Sequence, residues 1–159
     1  MDRGEVLRLY DAWADDVYRL AYSFLLNPAD AQDAVQEVFL RLLQKNCTPL
    51  PGRERALLAR ITANYCKDCL RRARRRPDPA EQEPAAPDTT PGRLELRAAL
   101  QALPPGYRAV VHLYYYAGYT PQEIATALSL TRSGVYMRLT RARRLLGDFL
   151  KEEIGRAHV

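Results

Sequence analysis

The chain has 159 residues, 47% of them hydrophobic, and a formal net charge of +5 that splits into +4 over residues 1–76, −4 over 77–92 and +5 over 93–159. That length holds one medium domain or two small ones, and two basic blocks around an acidic spacer suit a polyanion, most simply nucleic acid. No N-terminal run resembles a signal peptide, no apolar stretch is long enough to span a bilayer, and Cys47, Cys66 and Cys69 are too few and too odd a set for a secreted disulfide framework. A cytoplasmic protein with no membrane insertion is expected.

The expected fold is all-α, and no strand is expected. Val6, Tyr10, Trp13, Val17, Leu20, Ala21 and Phe24 mark a long first helix. Asn27-Pro28 stops it and starts the next, with Asn27 as cap and Pro28 at the first helical position. The second helix has the cleanest period in the chain: Ala31, Ala34, Val35, Val38, Phe39, Leu42 and Leu43. Its other face carries Asp30, Asp33, Gln36, Glu37 and Arg41. That acidic and amide surface is unsuited to DNA. It is either plain solvent-facing polarity or a docking face for a basic protein partner.

A loop over residues 44–52 precedes a third helix over about 53–76. Leu58, Ile61, Tyr65, Cys66, Cys69 and Leu70 form its apolar stripe. Cys66 and Cys69 make a C-x-x-C, but no second pair or paired histidines could complete a zinc site, so buried small hydrophobes are the favoured reading. Arg60, Asn64, Lys67 and Arg71 form a polar stripe that runs on into Arg72, Arg74, Arg75 and Arg76. A charge run is usually a solvated face. Here it borders Lys45 and Asn46 in a loop that could touch an extruded base, which is what binding single-stranded DNA requires.

Residues 77–92, PDPAEQEPAAPDTTPG, hold five prolines and no large apolar residue, and read as a flexible linker. The chain therefore divides into a domain over 1–76, the linker, and a domain over 93–159. Leu94, Leu96, Leu100 and Leu103 open the second domain. Pro104-Pro105 then begins a helix through Tyr107, Val110, Val111 and Tyr114, with Gly118 as its C-terminal cap.

Residues 120–146 read as two short helices and a tight turn. Thr120, Pro121 and Glu123 form a capping box with proline at the first position, and Ile124, Ala125 and Leu128 give the buried face. Thr131 caps the second helix, with Leu130 and Val135 at the staple positions. There Val135, Leu139, Ala142 and Leu146 fall on one side. Ser133, Met137, Thr140 and Arg144 lie on the other, flanked by Tyr136 and Arg141. This pattern suits a helix-turn-helix in a DNA major groove, although an ordinary amphipathic hairpin has the same period.

Catalytic and cofactor motifs are missing: there is no H-E-x-x-H, Gly-rich phosphate loop or G-x-S-x-G, and His112 and His158 sit in unrelated contexts. No enzyme activity, cofactor, metal or small-molecule substrate is expected.

Three segments together resemble a bacterial RNA polymerase sigma factor of the extracytoplasmic-function (ECF) group. The segment from Asn27-Pro28-Ala29-Asp30 to Leu40-Arg41-Leu42 resembles the family's polymerase-binding helix. Ile61-Thr62-Ala63-Asn64-Tyr65 to Arg71-Arg72 resembles its helix for melting and reading the minus-ten promoter element. The stretch from Leu103-Pro104-Pro105 to Arg141-Ala142-Arg143 resembles its minus-thirty-five domain. The resemblance implies that Asp30, Asp33, Gln36, Glu37 and Arg41 bind core RNA polymerase. It implies that Lys45, Asn46, Arg60, Asn64, Lys67, Arg71 and Arg72 hold the minus-ten strand. It further implies that Arg132, Ser133, Tyr136, Met137 and Thr140 face the minus-thirty-five bases, with Arg141 and Arg144 on phosphates. Core polymerase, promoter DNA and an anti-sigma factor are the implied partners, and the free chain is expected to be a monomer. Leu57 stands where the family often has tryptophan, and Gly134 where it often has threonine. A stand-alone helix-turn-helix regulator and a helical adaptor that binds only proteins are the alternatives.

Overall fold

Asp2 begins the first helix, α1 (Arg3–Leu25), through a capping box that the sequence reading did not anticipate. Its carboxylate accepts from the Glu5 N–H at 2.8 Å, and the Glu5 carboxylate accepts from the Asp2 N–H at 3.3 Å. The helix ends on Leu26 in the left-handed region (φ 54°), whose N–H reaches the Tyr22 carbonyl. Asn27 then caps α2 (Pro28–Lys45), its Oδ1 accepting from the Asp30 N–H at 3.0 Å, with Pro28 at the first position as expected. The structure, a computed structural model, describes residues 2–45, 49–75 and 93–157, without the side chains of 75, 93–97 and 149–157. Asn46, Cys47, His158 and the expected linker over 77–92 lie outside the described residues.

Gly52 turns the chain with φ 81° into α3 (Glu54–Arg75). The first three helices close around Val6, Val17, Val35, Val38, Phe39, Leu42 and Leu58. Val38 and Leu42 are fully buried, and burial of each such side chain contributes about 1.5–3 kcal/mol. The period read in α2 gives its core face except at Leu43, which is 39% exposed at the end of the helix.

After α4 (Arg93–Ala102), Pro105 opens α5 (Pro105–Val111), which runs into a π-helical turn, His112–Tyr116. The wider turn shows as an Ala117 N–H bonded to the His112 carbonyl, five residues back. Gly118, at φ 72°, ends this helix as expected, and the next N–H, from Tyr119, closes on the Leu113 carbonyl at 2.8 Å.

The capping box of α6 (Pro121–Leu128) is present in full: Thr120 Oγ1 accepts from the Glu123 N–H and Glu123 Oε1 from the Thr120 N–H, both at 3.1 Å. Ser129 takes the left-handed conformation at the turn (φ 56°). Thr131 caps α7 (Arg132–Ala157), its Oγ1 accepting from the Gly134 N–H at 2.9 Å.

The two helical halves do not stand apart. Helix α1 packs on α5, and α3 packs on α6. One core cluster contains Leu20, Phe24, Ala59, Ala63 and Cys66 from the first half. From the second it takes Val110, Leu113, Ile124, Leu128, Val135 and Leu139. Helix α3 is thus covered on two sides: Leu58 points into the first core, while Ala59, Ala63 and Cys66 belong to the shared one.

Candidate polymerase and nucleic-acid interfaces

The polar face of α2 is open to solvent. Asp30, Asp33 and Gln36 are exposed, and Glu37 is partly so. Glu37 Oε1 accepts from Arg41 Nε at 3.3 Å, one helical turn on. The Arg41 guanidinium also lies over the Tyr65 ring of α3, 5.2 Å from its centre. Arg41 is therefore anchored by its own fold, whereas Asp33 and Gln36 project freely. Leu40 sits on the same face with 48% of its surface exposed. The sequence reading passed over this exposed leucine.

The α3 stripe is divided. Arg60, Asn64 and Arg72 are exposed, as is Lys45 at the end of α2. Arg71 is exposed too, with its Nη2 held on Asp68 Oδ1 at 2.7 Å. Lys67 differs: it is half-buried and its Nζ donates to the Leu128 carbonyl at the end of α6, 3.0 Å away. Burial lowers its pKa, and the nearby Arg138 and Arg71 charges add to that. The residue assigned to the minus-ten strand thus caps a helix of the other half, satisfying one of the carbonyls that a helix end leaves open.

The two cysteines of the C-x-x-C carry no bond to each other. Cys66 is fully buried, and burial pushes its thiol up to about 12, which suits packing rather than thiolate chemistry.

Helix α7 separates its faces as its period predicts. Val135, Leu139 and Ala142 are buried, and Leu146 is half-buried. Opposite them Arg132, Ser133, Tyr136, Met137, Thr140, Arg141 and Arg144 are all exposed. Tyr136 and Met137 leave 51% and 46% of their surfaces open. Arg141 Nη1 touches the Tyr107 hydroxyl at 3.3 Å, and Thr140 bonds back to the Tyr136 carbonyl. Gly134 lies in the first turn, where an added Cβ would come within 3.2 Å of Thr131 Oγ1. Its missing side chain leaves the capping hydroxyl uncrowded.

Sequence reasoning missed the residues that join the halves. Arg108 is 7% exposed and donates to three main-chain carbonyls: Ser23 and Phe24 at the end of α1, at 2.7 and 2.8 Å, and Leu103 at 2.6 Å. Arg55 grips Glu123 with two bonds of 2.9 and 2.7 Å, holding the Glu123 carboxyl below its ordinary range. The Arg55 guanidinium also lies 4.4 Å from the centre of the Tyr119 ring, and the Tyr119 hydroxyl donates to the Arg55 carbonyl at 3.2 Å. The only available signal was Arg108, a lone charge in the apolar run Tyr107-Arg108-Ala109-Val110-Val111.

Residues 9–76 match the family described as Sigma-70 region 2, and residues 93–146 match Sigma-70, region 4. Over 157 residues the chain is 32% identical to the ECF RNA polymerase sigma factor SigL of Mycobacterium tuberculosis, across 91% of this chain and 88% of that protein. The chain belongs to the ECF sigma factors. It is also 36% identical to the ECF RNA polymerase sigma factor SigE of Mycolicibacterium smegmatis, across 86% of this chain but 58% of that protein. Against the probable RNA polymerase sigma factor RfaY of Xanthomonas campestris pv. campestris, identity is 34% and the share of that protein covered is 38%. The chain therefore spans only part of the length of these two relatives. Among solved structures, the sigma factor RpoE from Bartonella quintana, co-crystallised with the anti-sigma factor NepR, matches with a TM-score of 0.70. It is 20% identical and the match covers 94% of this chain and 96% of that one, a likeness of fold. In this family's terms, α2, α3 and α1 from residue 9 onward lie in the region 2 match, and α4–α7 span the region 4 match.

Proposed function

We propose that this sigma factor binds core RNA polymerase through α2 and directs it to promoters. In this reading the α3 face and Lys45 hold the opened minus-ten strand, and α7 reads the minus-thirty-five element. The observation that carries it is the α7 surface: Arg132, Ser133, Tyr136, Met137 and Thr140 for the bases, and Arg141 and Arg144 for phosphates, lie exposed opposite the packed face of Val135, Leu139 and Ala142. A major-groove reader needs that combination of rigid support and free polar side chains. Asp33, Gln36 and Glu37, with Leu40 among them, supply the polymerase contact. The factor acts as a non-catalytic, dissociable subunit in the cytoplasm, and no described helix is long and apolar enough to cross a membrane. An anti-sigma protein covering the polymerase-binding face is the proposed regulator, and the free factor is a monomer.

Transcription in vitro with core polymerase, followed by mapping of start sites, tests the reading. Specific starts should appear only when the factor is added. Reversing both charges, Asp33→Lys with Glu37→Lys, should abolish core binding while the helical circular-dichroism signal stays intact, because both side chains lie outside the cores. Normal core binding by that variant would overturn the role of α2. Specific duplex binding that is indifferent to core polymerase would point instead to a stand-alone regulator.

A further inference from the structure

One cavity takes no part in polymerase or promoter binding as assigned above. It measures about 460 Å³ and is lined from α1, α4, α5, the π-helical turn and α7. Cavities that hold small molecules run from about 300 to 1,000 Å³ and are mostly apolar, with a few placed polar groups. Leu100, Val111 and Leu146 give this one much of its apolar wall.

Two pairs of stacked rings face into it. Tyr18 and Tyr22, one turn apart on α1, stack with their centres 6.3 Å apart. His112 and Tyr116 stack at 5.4 Å on the π-helical turn. Such turns are rare and recur at functional sites. Aromatic faces attract further rings at centre-to-centre distances of about 4.5–7 Å, so the two pairs suit a flat apolar body.

The charges select its polar end. None of the described lining residues is acidic. Arg108 is already committed to three main-chain carbonyls, and His112 is neutral at ordinary pH because burial lowers its pKa to about 4. Arg19 is different. It is exposed, its guanidinium lies 5.6 Å from the centre of the Tyr116 ring, and it forms no ion pair among the described residues. A cation at the edge of an apolar cavity without acids favours an anion, and the guanidinium fork matches a carboxylate.

We propose that this cavity binds a small aromatic carboxylic acid, with its rings between the Tyr18–Tyr22 and His112–Tyr116 pairs and its carboxylate on Arg19. The site does not depend on the promoter reading. Its walls come from both halves, so a bound molecule stabilises the folded chain as a whole.

Fluorescence titration of the full chain with pyrenebutyrate tests the site, and pyrenebutanol supplies the same rings without the charge. The acid should bind one-to-one and saturably, about five- to tenfold more tightly than the alcohol. Arg19→Gln should bring the acid down to the level of the alcohol and leave the alcohol unchanged, whereas Arg19→Lys should keep a preference for the acid. Gln101→Trp, at an exposed lining position, should fill the entrance and block both probes. Saturating pyrenebutyrate should raise the melting temperature of the wild-type chain and not that of Gln101→Trp.

Absence of binding would overturn the proposal, as would equal affinities of the wild-type chain for acid and alcohol. Binding that survives Gln101→Trp, or that exceeds one molecule per chain, would place the probe elsewhere and overturn it as well. Should a variant lose its helical signal, the wild-type chain decides. There the acid must outbind the alcohol and must protect the amides of residues 112–116 from hydrogen exchange.

Discussion

Arg108 carries its charge into a buried site where it meets carbonyl oxygens and no carboxylate. Two of its three acceptors belong to the last turn of α1, where helix carbonyls lack intrahelical partners and the helix dipole is negative. The cation and the helix end therefore satisfy each other. Arg108→Met keeps the apolar stem but strands those carbonyls, and urea unfolding should show a loss of about 3 kcal/mol or more. His112 is the neutral counterpart. It stacks on Tyr116, with ring centres 5.4 Å apart, and shares a cavity with Asp16, Arg19 and Arg55. Burial, with the Arg19 charge adding to it, pushes its pKa down to about 4. Unfolded, the ring titrates near 6.5. Between those values the unfolded state binds more protons, so stability is lost as pH falls from about 6.5 to about 4, by up to about 3 kcal/mol. His112→Gln should flatten that slope in urea midpoints measured between pH 5 and 6.5. An unchanged slope would show that other groups carry it.

At the scale of the element, what could be read ahead of the structure was whatever a single helix declares locally. Thr120-Pro121 with Glu123, Asn27-Pro28 and the Thr131 cap each place a donor and an acceptor within a few residues, the first two with a proline that fixes φ, and each is found where expected. The Asp2 box was passed over because the apolar period that marks α1 begins only at Val6. The π-helical turn at His112–Tyr116 has no counterpart in the sequence period. Helix α7 permits a direct test of its two faces. Leu139, 1% exposed, should cost about 2–5 kcal/mol when cut to alanine. Met137→Ala, nearly half exposed, should leave the melting temperature almost unchanged yet alter the preference among minus-thirty-five sequences in selection experiments. Equal stability losses at the two positions would mean that the outer face is buried in solution.

For the whole molecule, the contact between halves was hidden because its residues look ordinary one at a time. Ala59, Ala63 and Cys66 are small, and small residues on a helix advertise no face, although here they let α6 approach α3 closely. The Pro-rich composition of 77–92 argued for two independent domains, and composition carries no information about whether domains joined by a linker also pack. The shared core has a thermodynamic consequence. Phe24, 1% exposed, belongs to the cluster that also holds Val110, Leu113 and Ile124, so neither half keeps its full core without the other. The free chain should therefore unfold in one transition, with calorimetric and van't Hoff enthalpies in agreement. Phe24→Ala should cost about 3–5 kcal/mol. Its effect should reach the amides of α6 in hydrogen exchange as strongly as those of α1. Two resolved transitions in the wild-type chain, or exchange in α6 that ignores the loss of Phe24, would show that the halves fold separately and that their packing adds little to stability.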